Sequence, residues 1–388
     1  MKAYLDCGST TPVSKEVLEA MLPYLTEKFG HPLFLYSLGQ EAADAIEKSR
    51  EKIARTISAG KEEIIFTSGA TESNDLALRG VAYANRKRGN HIITTKIENP
   101  GVLRICERLE KEGFKVDYLS VDREGFVNLE ELKRRLTDKT ILVSIGNVND
   151  EIGTIQPMEE IKEILEGRDV YLHVNAAAGY GRVKIDVEEI GADLLSLSAH
   201  KIHGPKGVGA LYLRKGTEIE PLGSGYVSLS PLRPGTENVA GIVGFAKAAE
   251  IASEKLEEHR AYMVKLRERL MSGIEESIPH VVLHGPRGEK RSPSNVNYSF
   301  KGIEGESILL RLDLHGIAVA TGSACATRKL EPSHVLTAIG IKPEVAHGSI
   351  RFTFTWMTKM EEIEYTLGVL PGVIEGLRRI SPIKPEEM

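Results

Sequence analysis

Four stretches of the chain carry residues whose types and spacing could do chemistry. In "SLSAHKIHGPKG" (196–207), Lys201 stands just past a short apolar run, behind Ser198 and His200 and ahead of a glycine-rich turn. A lysine drawn out of water beside a phosphate site loses its proton and can bond an aldehyde. A lysine leaving a strand also serves as plain surface charge. "TSGATESN" (67–74) places Gly69, Ala70 and Thr71 where a strand turns into a helix, and free N–H groups at such a turn attract phosphate. Thr-Glu at a helix start also has a capping use. "TGSACATRKLEPS" (321–333) sets Cys325 among small and polar residues, which favours an accessible thiol over the inert buried kind. In "GSIRF" (348–352), the planar fork of Arg351 suits a carboxylate, either of a ligand or of a surface ion pair.

The elements that must position these residues are legible as periodic runs. Near-continuous apolar runs ("EEIIFTSG", "HIITT", "KVDYLSV", "TILVSIGNV", "VYLHVNAA") alternate with amphipathic stretches from about residue 14 to 255. Such alternation predicts an α/β fold with a mainly parallel central sheet covered by helices on both faces. One long helical segment is expected from about Glu237 to Ile278. After it the order changes to "VVLHG", "SNVNYSF", a helix, "IAVAT", a small-residue loop and "SIRFTF", which predicts a smaller α+β domain. The expected division is a large domain over 14–255 and a small C-terminal one over 256–388, joined by the N-terminal segment 1–13. Ligands of open α/β sheets gather at the carboxyl ends of the strands, which is where the motifs fall.

Composition excludes several classes of function. At 388 residues, 41% hydrophobic and 27% charged, the chain can bury two ample cores. A net charge of −5 offers no basic field for nucleic acid. The local run Arg86-Lys87-Arg88 suits a helix C-terminus, where cations meet the helix dipole. No apolar run approaches the ~20 residues of a membrane span, and "MKAYLDCGSTTP" lacks a signal-peptide layout. Cys7, Cys106 and Cys325 are too scattered for a disulfide framework or a CxxC metal pair, so no metal site and a reducing cytoplasm are expected. The dinucleotide spacing GxGxxG is missing at residue 69, and Gly60-Lys61 is followed by Glu62, which argues against a nucleotide P-loop.

Taken together, "YLDCGSTTP", "FTSGATESN", "SAHKIHGPKGVGALY", "RPGTENVAGIVG", "GSACA", "LEPSHVL" and "SIRF" resemble the fold-type I, class V aminotransferase-like enzymes, specifically the cysteine desulfurases of the NifS/IscS type. The resemblance runs over nearly the whole length. It implies pyridoxal 5'-phosphate as cofactor, L-cysteine as substrate and a homodimer. By the same resemblance Ala70, Thr71, Ser198 and His200 hold the cofactor phosphate, and Thr236 reaches the phosphate of the partner subunit. Lys201 matches the lysine that bonds the cofactor, Asn149 an asparagine near its phenolic oxygen, Arg351 the substrate-carboxylate arginine, and Cys325 the loop cysteine that receives sulfur.

Several positions depart from the family pattern, and they gather around the cofactor ring. Asn175 stands where the family places an aspartate against the pyridine nitrogen, and an amide cannot supply that charge. Ala178 replaces a glutamine, Asn99 and Asn147 replace histidines, and Leu33 and Phe34 stand in for hydroxyl-bearing residues expected at the pocket mouth. Losing ~4 kcal/mol of carbanion stabilisation would slow the step roughly 10³-fold. Two readings follow. The first is a working desulfurase that gives alanine and a persulfide on Cys325 for a sulfur acceptor, in iron–sulfur cluster assembly or thiolation. The second is an impaired relative that presents Cys325 as a sulfur carrier, or as an iron–sulfur ligand to a scaffold protein. A more apolar mouth at Leu33 and Phe34 also admits chemistry on another amino acid.

Overall fold

The structure is a computed structural model that describes residues 2–225, 229–322 and 332–387. Thirteen strands lie in these residues, arranged in three sheets. β1 (Ala3–Tyr4) is followed by β2 (Ile64–Thr67), β3 (His91–Thr95), β4 (Lys115–Leu119), β5 (Thr140–Gly146), β6 (Tyr171–Asn175), β7 (Leu194–Ser198) and β8 (Gly209–Leu213). β9 (Val281–Leu283), β10 (Asn295–Phe300), β11 (Ile317–Ala318), β12 (Ala320–Thr321) and β13 (Ser349–Thr353) complete the set.

The large sheet has seven strands in the order β2-β8-β7-β6-β5-β3-β4. β8 runs antiparallel to both neighbours, whereas the pairings from β7 across to β4 are parallel. β2, β3 and β7 are buried along their full length, which is why they read as continuous apolar runs rather than alternating ones. Each isoleucine, valine or leucine that leaves water there contributes ~1.5–3 kcal/mol. The expected α/β class with a mainly parallel sheet is what forms.

The second sheet is antiparallel, β12-β13-β10-β9, and β1 pairs with β11 beside it. It has its own apolar interior, including Tyr298, Phe300, Phe352 and Phe354. The N-terminal segment crosses between the two sheets: Asp6 bridges Thr353 of β13, while Thr11 bonds the turn after β7.

One expectation needs correction. The helical stretch from Glu237 to Ile278 is two helices, Val239–Glu254 and Leu256–Ser277, broken at Lys255, whose ψ is 27°. The break lets consecutive helices serve different interiors. Phe245, Ala248 and Ala252 pack with the large sheet, whereas Met263, Leu266 and Leu270 pack with the small one. Helical periodicity does not mark the break, because residues on both sides of Lys255 are helical and the first helix is apolar nearly all round.

Candidate active site

The carboxyl ends of β3, β5, β6 and β7 open onto one cleft lined by Glu98, Asn99, Asn149, Asp150, Asn175, Ala178 and Lys201, among others. Lys201 is in a short 3-10 turn directly after β7. Its side chain is 12% exposed, and Nζ lies 3.7 Å from Asp150 Oδ2. Burial, aided by the positive charges of Arg351 and Arg182, lowers the amine below the ordinary lysine range, against the pull of Asp150. Burial would raise the Asp150 carboxyl, but Lys201 and Arg351 together hold it below its usual value. The amine is therefore poised to act as a nucleophile or base at a lower pH than a surface lysine.

The turn that carries Lys201 is braced from three directions. Arg182, itself buried, donates to the Lys201 carbonyl at 3.1 Å and to Ser294 Oγ at 2.9 Å. Thr11 Oγ1 donates to the His200 carbonyl at 2.8 Å and accepts from the His203 N–H at 2.9 Å. His203, at φ 64°, bridges the Pro12 carbonyl and Thr355 Oγ1. Such bracing fixes the amine at little further entropic loss.

A cup suited to an anion lies beside it. The Ala70–Ala84 helix starts after Gly69, whose φ of 150° favours glycine, and no side chain caps that start. Ser198 Oγ is buried without a hydrogen-bond partner among the described residues and lies 3.9 Å from where a Cβ on Gly69 would stand. Gly209 lets the two backbones meet, since a Cβ there would be 2.5 Å from the Leu197 carbonyl oxygen and 2.6 Å from Gly69 Cα. An orphaned hydroxyl facing an uncapped helix start fits a phosphate. Ser198 thus stands against Gly69, at the start of the helix whose first two residues are Ala70 and Thr71. His200 lies 3.2 Å from Thr10 Oγ1, with its imidazole lowered to about 4, chiefly by burial.

Arg351, on β13, comes to the other side. Its Nη2 donates to Asp6 Oδ1 at 3.1 Å and Ser9 Oγ at 2.9 Å, its Nη1 reaches the Asp150 carbonyl at 3.3 Å, and its buried Nε has no partner among the described residues. Asn149 is fixed locally: Oδ1 accepts from the Glu151 and Ile152 N–H groups at 3.0 Å, and Nδ2 donates to the Ile97 carbonyl at 2.8 Å, which leaves its second N–H for a ligand. Asn175, at the end of β6, accepts from the Ala177 N–H at 3.3 Å, which leaves its NH₂ as the part able to meet a ligand.

Other sequence candidates lie elsewhere or have local uses. Thr236 does not line this cleft; its Oγ1 is 3.4 Å from His31 Nε2. Neither Leu33 nor Phe34 lines it within one chain; Phe34 is half exposed and stacks on Tyr36 at 5.6 Å. Asn99 lines the cleft but also caps the Pro100–Lys111 helix, accepting from the Gly101 N–H at 2.9 Å. Asn147 is buried, and a Cβ on Gly179 would press against it at 2.5 Å. Cys325 lies outside the described residues. Among the described residues no group of three or more histidines, cysteines or acids is arranged to hold a metal ion, and no helix is long and apolar enough to cross a membrane.

Sequence reasoning passed over Asp150, Asp6 and Glu98. Asp150 directly follows Asn149 at the end of β5, a position from which an acid could have been expected to face the cleft. Asp6 gives no such signal, because its partner Arg351 is 345 residues away.

A lysine amine out of water, an anion cup and an arginine fork at the carboxyl edge of an α/β sheet define a pyridoxal phosphate type of site. The family described as aminotransferase class-V matches residues 3–366. The chain belongs to that family and, within it, to the cysteine desulfurases. It is 52% identical to cysteine desulfurase IscS of Dictyoglomus turgidum, over 99% of this chain and 98% of the relative. Among solved structures it is similar to a NifS-like protein, with 40% identity, a TM-score of 0.92 and coverage of 97% of this chain and 100% of that one. A structure described as SspA in complex with cysteine is 33% identical, with a TM-score of 0.81 over 92% of this chain and 100% of that one.

Proposed function

We propose that the protein removes sulfur from L-cysteine, with pyridoxal 5'-phosphate as cofactor, to give L-alanine and a persulfide on Cys325. The observation that carries this reading is the desolvated Lys201 amine beside the cup formed by Ser198 and the start of the Ala70–Ala84 helix. Ala70, Thr71, Ser198 and His200 would hold the phosphate, Lys201 the aldehyde carbon, and Asn149 and Asn175 the ring. When bound, the cofactor supplies a conjugated sink for electrons released at the substrate Cα.

The chain's own residues do the rest. Arg351 gives its fork to the substrate carboxylate, with Asp6 and Ser9 holding the guanidinium in place. Lys201 would take the Cα proton, and its lowered affinity for protons would keep it available as a base. The Cys325 thiolate attacks the substrate sulfur, a sulfur–sulfur bond forms as the carbon–sulfur bond breaks, and alanine leaves. The balance is cysteine plus a thiol giving alanine plus a persulfide. A cognate acceptor protein then takes the sulfur, for iron–sulfur assembly or thiolation.

A homodimer belongs to this reading. Leu22, Leu25, Phe29, Phe34 and Leu35 form an exposed apolar run, with Leu35 89% exposed, and Thr236 has no place in its own chain's cleft. Asn175 adds a slowed turnover, since an amide places no negative charge at the end of β6.

The test supplies cofactor and cysteine to the purified protein. Yellow colour fixed by borohydride at Lys201, alanine released, a persulfide lost in Cys325→Ser, and a sedimentation mass of two chains are the expected results. A coloured protein that releases no alanine refutes the desulfurase and favours the sulfur-carrier reading.

A further inference from the structure

Glu98 is a buried acid with one oxygen committed and the other free. It sits in the turn between β3 and the Pro100–Lys111 helix and is 5% exposed. Oε1 accepts from Thr95 Oγ1 at 3.0 Å and from the Gly146 N–H at 2.9 Å. Oε2 has no hydrogen-bond partner among the described residues. It lies 3.3 Å from where a Cβ on Gly146 would be, and the Asn175 carbonyl oxygen lies 3.6 Å from the same point. Glycine at 146 thus leaves Oε2 room at the end of β5, beside the end of β6, where the side chain lines the cleft shared with Lys201 and Asp150.

Among the described residues no cation pairs with this carboxyl. The charged groups Lys201 and Arg351 are engaged with Asp150 and Asp6. The groups that face Glu98 are Asp150 from the turn after β5, the buried Cys106 thiol from the Pro100–Lys111 helix, and His334, whose Nε2 lies 2.9 Å from the Glu98 carbonyl. Burial, with Asp150 adding its negative charge, raises the carboxyl to about 7, against the bonds from Gly146 and Thr95. An acid that is half ionised at working pH exchanges protons most effectively in both directions. Burial lowers His200 and His203, the imidazoles on the Lys201 turn, to about 4.

We propose that Glu98 is a further catalytic residue of this cleft, whose free Oε2 takes a proton from the ammonium group of the incoming amino acid. The carboxylate becomes a carboxylic acid and the ammonium becomes a neutral amine with its lone pair available to attack. The proton passes to water when product leaves, restoring the carboxylate. No oxidant or further reactant is needed. The assignment rests on the amino-acid substrate of the proposed function, yet one of its tests does not.

The variant is Glu98→Gln, which keeps an acceptor for Thr95 and Gly146 and removes only the ionisation. In the holoenzyme with cysteine, kcat/KM of the natural protein falls as pH drops below about 7. The variant loses that limb and about 10²-fold of its rate at pH 8, while cofactor absorbance and thermal midpoint are retained. Glu98→Asp restores the limb. An active protein whose limb survives in Glu98→Gln overturns the assignment and leaves the desulfurase standing. Infrared difference spectra of the substrate-free protein supply the independent readout. A component of the protonated carboxyl band that titrates near neutral pH and is lost in Glu98→Gln, leaving the part due to Glu151, supports the assignment, and a band unchanged between the two proteins overturns it. A natural protein that releases no alanine refutes the proposed function by itself.

Discussion

Replacing Glu151 with glutamine isolates the energetic effect of one buried ionisation. Glu151 is 9% exposed, follows Asp150 after β5, and has an Oε1 without a hydrogen-bond partner among the described residues. Burial raises its carboxyl from 4.5 to about 7, against the opposing effects of Ser333 and Arg351 and with help from Asp150. The unfolded chain releases this proton near 4.5, whereas the folded protein keeps it until about 7. Between those values the folded state binds more protons, so stability falls as pH rises. Above the folded value the accumulated penalty is ~3 kcal/mol. Glutamine has nearly the same shape and no proton to lose. Any cost of burying its amide is the same at every pH, so the pH-dependent part of the difference reports the carboxyl alone. Denaturant unfolding at fixed protein concentration, at about pH 4.5 and pH 8, supplies the comparison. The stability of Glu151→Gln relative to the natural protein should rise by ~3 kcal/mol across that interval. A difference that stays flat with pH, or that falls, refutes the reasoning.

Two further outcomes follow from the site. Arg351→Ala should raise KM for cysteine by about 10- to 100-fold, the value of charge-assisted hydrogen bonds at ~1.5–3 kcal/mol each, with a smaller change in kcat; an unchanged KM removes Arg351 from the substrate. Asn175→Asp keeps an oxygen for the Ala177 N–H and places a negative charge at the end of β6. Its kcat should rise about 10-fold, equivalent to ~1.4 kcal/mol of barrier, and a kcat that stays level or drops shows that the amide does not limit turnover.

Sequence and tertiary structure divided the description of this protein along a physical line. Near-continuous apolar runs announced β2, β3, β5, β6 and β7 because strands covered on both faces are mainly apolar. Their buried polar residues, such as His91 and Ser196, are hydrogen-bonded within the sheet. Gly69, Ala70, Ser198 and Lys201 were legible because turns at strand ends are local, and their chemistry follows from residue type and spacing. The break at Lys255 was not, since it answers to two separate interiors. Nor was the electrostatic frame of the site. Asp6 meets Arg351 across 345 residues, and Glu98 meets Gly146 across 48. A carboxyl's affinity for its proton depends on burial and on the charges around it, and neither exists until the strands have assembled. Residue order determined which groups the cleft could have; only the folded chain decided which of them are paired, which are neutral and which are free to act.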